Sequence, residues 1–106
     1  MSLATQTPAL VVPAEVLALA AKQGVTTYLP AVLEMTQRIF PNASLSVLVE
    51  DDPEIANDRH IVVRVQVEDL DVPQALDARY QWHRELFACC PAPLVSVFRV
   101  GLELTE

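Results

Sequence analysis

His60–Cys90, HIVVRVQVEDLDVPQALDARYQWHRELFACC, decides the architecture, because the spacing of its apolar residues changes once along its length. From His60 to Glu68 the alternation has period two. Ile61, Val63, Val65 and Val67 point one way, and Arg64, Gln66 and Glu68 the other, which is a strand with one apolar face. After an acidic turn the period lengthens. Leu76, Tyr80, His83, Phe87 and Cys90 recur three or four residues apart, so they form one helical stripe, expected to be buried. Asp71 is placed as the N-cap, with Gln74 as its capping-box partner. Pro73 falls in the first turn, where a missing amide does no harm. Pro91 and Pro93 forbid continuation. A strand and a helix that each need covering are thus fused in sequence, and the remaining chain must supply the cover.

Upstream, PAEVLALAAKQ from Pro13 is rich in strong helix formers. Glu15 and Lys22 suit the two ends of the helix dipole, and Gly24 suits a left-handed closing residue. Thr26 or Thr27 is expected to cap a second helix running to about Phe40, ended by Pro41 and Asn42. Its buried stripe would be Leu29, Val32, Leu33, Thr36, Ile39 and Phe40. The connection is short enough to predict a helical hairpin. Residues 1–12 read as an irregular arm, with Ala9–Val12 able to add a short edge strand.

Ser44–Glu50 reads as the first strand, with Leu45, Val47 and Val49 inward. A polar loop follows, so the His60–Glu68 strand should return antiparallel. Leu94–Leu104 reads as the last strand, reached through the helix and therefore parallel to the second. The expectation is a single α+β domain over residues 1–106, in the order α-α-β-β-α-β. It is a two-layer sandwich in which helices cover one face of a three-stranded mixed sheet. Strand order 2-1-3 is favoured, with 1-2-3 as the alternative.

The chain carries seven basic and fourteen acidic residues, a net charge of −7. Such a balance argues against nucleic acid, whose binding rests on Lys and Arg neutralising phosphates, and against an anionic membrane surface. Nine of the acids lie between Glu50 and Asp77. No apolar run reaches the length of a membrane span, and MSLATQTPALVV lacks the basic start of a signal peptide. The two adjacent cysteines make no disulfide framework. A reduced, cytoplasmic, soluble protein is expected.

The outer sheet face would present Leu48, Val62, Arg64, Val95, Val97 and Arg99. Four of these are apolar, a patch worth covering by a second copy or by a protein partner. Arg79, Tyr80 and His83 share one side of the long helix and form the alternative, a small-molecule or acid–base site. Against that, a lone His flanked by aromatic residues is more often structural. Cys89 and Cys90 sit at a helix C-terminus, whose partial negative charge disfavours a thiolate. The acidic loop lacks the glycine and ligand spacing of a calcium loop, and His60 has no second His or Cys nearby for zinc. Phosphate-binding and nucleophile-elbow motifs are absent. No metal or cofactor is expected, and a binding and assembly module, as a homodimer or with a protein partner, is favoured over an enzyme.

Overall fold

A computed structural model describes residues 11–51, 54–55, 58–68 and 70–105. Helix α1 spans Ala14–Gln23, α2 Leu29–Ile39 and α3 Val72–Cys89, and strands β1 Ser44–Asp51, β2 Arg59–Glu68 and β3 Phe98–Thr105 form one sheet. The class is α+β with a mixed sheet. Val11 and Val12 are irregular; the rest of the expected arm lies outside the described residues.

β1 and β2 are antiparallel, from Ser44 opposite Gln66 to Asp51 opposite Arg59. β2 and β3 are parallel, from Ile61 opposite Phe98 to Glu68 opposite Thr105. The strand order is β1-β2-β3, so the alternative is correct and the favoured 2-1-3 is not. β2 is central for a reason visible in its burial: His60, Ile61, Val62 and Val63 are four consecutive buried residues. A strand flanked on both sides accommodates such a run, because Ile61 and Val63 face the helices while Val62 stands between its cross-strand neighbours Leu48 and Arg99.

Ile61, Val63, Val65 and Val67 face the helices as their alternation requires, together with Val47, Phe98 and Val100. Gly24 closes α1 in the left-handed conformation (φ 74°), where a side chain would be strained. Asp71 accepts from the Gln74 amide at 2.9 Å, and the Asp71 amide donates back to the Gln74 side chain.

Three expectations are corrected. First, α2 begins at Leu29 after a turn, with Tyr28 as N-cap, and neither Thr26 nor Thr27 caps it. A start at Thr26 would put Pro30 at the fourth helical position, whose amide the helix needs. Second, α2 packs chiefly along α3, while α1 lies against β1 and β2. The short connection therefore does not produce the helical hairpin. Third, Ala92–Val97 is a 3-10 turn and β3 starts only at Phe98. Pro91 and Pro93 favour this local turn over an early entry into the ladder, since each lacks a donor.

The α2–α3 contact contains a buried polar relay. The Trp82 indole N–H donates to Thr36 Oγ1 at 2.8 Å, and the Thr36 hydroxyl donates to the Val32 carbonyl at 2.7 Å. Trp82 and Thr36 are both fully buried. An aromatic that buries its body and satisfies its N–H is worth more inside than a phenol or a phenyl ring without a matched pocket. That preference sets the rotation of α3.

Candidate functional surface

Rotated to bury Trp82, α3 sends Ala75, Trp82 and Leu86 into the core, with Ala78 and Cys89 half-buried behind them. The stripe expected to be buried is therefore turned outward. Leu76 is 58%, Tyr80 73% and Phe87 60% exposed, and Val72, on the same line, is 60% exposed. His83 is exposed between them, and of the expected stripe Cys90 alone, at the C-cap, is buried. α3 carries two apolar stripes about a third of a turn apart, and one helix cannot bury both against the same layer.

The outward stripe exposes on the order of 500 Å² of apolar surface, taking ~150–250 Å² for an aromatic side chain and somewhat less for an aliphatic one. Patches of this size on a monomer are often functional. Leu76, Asp77, Arg79, Tyr80 and His83 border a shallow open hollow on it, so the structure does bring Arg79, Tyr80 and His83 together. The His83 pKa lies below its ordinary 6.5, first because part of the ring loses hydration and then because Arg79 repels its charged form. A neutral imidazole beside an arginine, on an open helix surface, is suited to contact more than to enclosing a substrate. Among the described residues Asp77, Arg79 and Arg84 make no ion pair. By contrast, Arg38, Arg59, Arg64 and Arg99 are all within 4 Å of a carboxylate.

The outer sheet face differs from its expectation. Leu48 and Val62 stand side by side in one row with Arg99, but Val62 is buried and Leu48 half-buried. Val95 and Val97 belong to the 3-10 turn, and both pack with the core, Val97 fully buried and Val95 partly. The rest of the face is polar and internally paired. Arg64 lies 3.6 Å from Glu103, Gln66 donates to Glu103 at 2.8 Å, and Arg99 reaches Asp58 at 3.5 Å. At its end the buried His60 lies 3.8 Å from Glu50 and 4.0 Å from Asp58, and among the described residues Nδ1 has no hydrogen-bond partner.

Between α2 and α3, Arg38 donates to Glu85 at 2.6 Å, and Gln81 holds the other carboxylate oxygen at 2.9 Å. These two bonds, Arg38's first, depress the Glu85 pKa, and the Arg38 pKa rises in return. Burial pushes both the Cys89 and the Cys90 thiols up, away from the thiolate a nucleophile needs. Both are free. Among the described residues no three His, Cys, Asp or Glu side chains gather as metal ligands, and no helix is long and apolar enough to cross a membrane.

The sequence reading missed Leu76 and Phe87 as surface residues, and Asp77 and Arg84 as charges beside them with no ion pair among the described residues. A signal existed. Trp82 and Leu86 compete with Tyr80 and Phe87 for the same burial, and α3 has more large apolar positions than one face can hide. No protein-family model, curated protein or solved structure matches the chain.

Proposed function

We propose that this chain is a binding and assembly module that acts by protein–protein contact in the cytoplasm, with the outward face of α3 as its docking surface. One observation carries the reading: four large apolar side chains stand 58–73% exposed along one line of one helix. Leaving them exposed forgoes on the order of 10 kcal/mol of hydrophobic stabilisation, at roughly 25 cal/mol per Å², unless a partner covers them. The outer sheet face, polar and paired, supports docking less well. The open hollow beside Arg79, Tyr80 and His83 supports contact over catalysis, since substrate sites usually bury most of their ligand.

The test is side-chain NMR of labelled Leu76, Tyr80 and Phe87, with Leu48 as the sheet-face control. The α3 signals should shift or broaden along a protein concentration series or on addition of cell extract, while Leu48 stays put. If they stay sharp and unmoved under both conditions, the docking reading fails.

A further inference from the structure

Resting on that docking surface, we infer that the partner is a second copy of the chain, with the two α3 helices paired antiparallel about a two-fold axis near Tyr80 and Gln81. The stripe is self-complementary. In an antiparallel pair centred there, Leu76 of each copy meets the neighbourhood of Phe87 of the other, and the two Tyr80–His83 segments face each other. An isologous contact requires this kind of patch, one that matches its own rotated image.

The charges choose the direction. Asp77 and Arg84 are exposed, lie on the same flank of the stripe seven residues apart, and have no ion-pair partner among the described residues. Antiparallel helices bring the same flank of each copy together. A centre between residues 80 and 81 then sets Asp77 against Arg84 twice, once on each side of the axis. Parallel helices bring opposite flanks together, which would place Arg79 near Arg84 and repel. The wider charge balance agrees. The chain as a whole is at −7, but Asp77, Arg79 and Arg84 around the stripe carry no net negative charge. Two otherwise repelling copies can therefore approach there.

Burying the stripe on both copies removes on the order of 1,000 Å² from water, the lower end for a specific interface. The pair is therefore concentration-dependent.

The experiment is sedimentation velocity with light scattering over a dilution series. It compares wild type, Asp77→Arg, Arg84→Asp, the double exchange Asp77→Arg/Arg84→Asp, and an equimolar mixture of the two single variants. Both positions are exposed, so circular dichroism should show an unchanged fold. Wild type should rise from one copy towards two, and each single variant should weaken association at least about tenfold, the effect of ~1.4 kcal/mol. The double exchange and the mixture should restore pairing. Leu76→Ser should abolish it.

A wild type that stays monomeric at all concentrations overturns the inference. The docking reading survives that result if extract still moves the α3 signals. A dimer indifferent to the charge reversals and to Leu76→Ser also overturns it, by placing self-association elsewhere.

Discussion

Replacing Thr36 with Val should destabilise the protein by more than the loss of an ordinary hydrogen bond. Val has nearly the same shape, so no cavity opens, but the Trp82 N–H then has no acceptor in a fully buried position. An orphaned buried donor costs ~1–3 kcal/mol, against ~0.5–1.5 for the net worth of a satisfied bond. At ~4–8 °C per kcal/mol for a domain near this size, the melting temperature should fall by roughly 4–24 °C. Trp82→Phe removes the donor but leaves Thr36 satisfied by the Val32 carbonyl, so its loss comes from lost volume alone. In the double variant no donor is orphaned. The two single losses should therefore exceed the double loss by about 1 kcal/mol or more, beyond the ~0.3–0.5 kcal/mol expected of independent sites. Urea denaturation followed by circular dichroism measures all four proteins. Trp82, as the only tryptophan, adds a fluorescence readout for wild type and Thr36→Val. A Thr36→Val loss under ~0.5 kcal/mol, or strict additivity, would refute the relay as the contact that sets the rotation of α3.

That rotation makes neighbouring residues behave oppositely. Leu86→Ala should lose ~2–5 kcal/mol and Phe87→Ala no more than about 0.5 in a dilute monomer, by the same urea titration; equal losses would mean the helix is turned differently. Asp71→Ala should remove about 1 kcal/mol by breaking the capping box, with Asp71→Ser recovering most of it. His83 should titrate below 6.5 by NMR, and Arg79→Gln should raise its pKa only in part, because lost hydration is the larger cause. The unfolded His83 takes up its proton first as pH falls. Its contribution to stability is therefore complete above about 6.5 and is lost as pH drops from there towards the folded pKa. A pKa at or above the ordinary value would contradict the packing around the ring.

The sequence by itself determined the α+β class, the element order and the inward side of β2. Each of these depends on a local signal. Alternation at His60–Glu68 needs no knowledge of neighbours, the Asp71–Gln74 box closes within four residues, and Gly24 ends α1 by its own backbone freedom. What tertiary structure alone decided were choices between locally equal options. Either stripe of α3 satisfies helical spacing, and the tie is broken by Thr36, 46 residues away, offering Trp82 an acceptor. Strand order depends on which strand is flanked on both sides, a property of the assembled sheet that the buried run His60–Val63 only hints at. The proposed docking surface follows from the first of these choices. It consists of the residues left outside once α3 commits its other stripe to the core, because burial is a competition among side chains and not a property of any one of them.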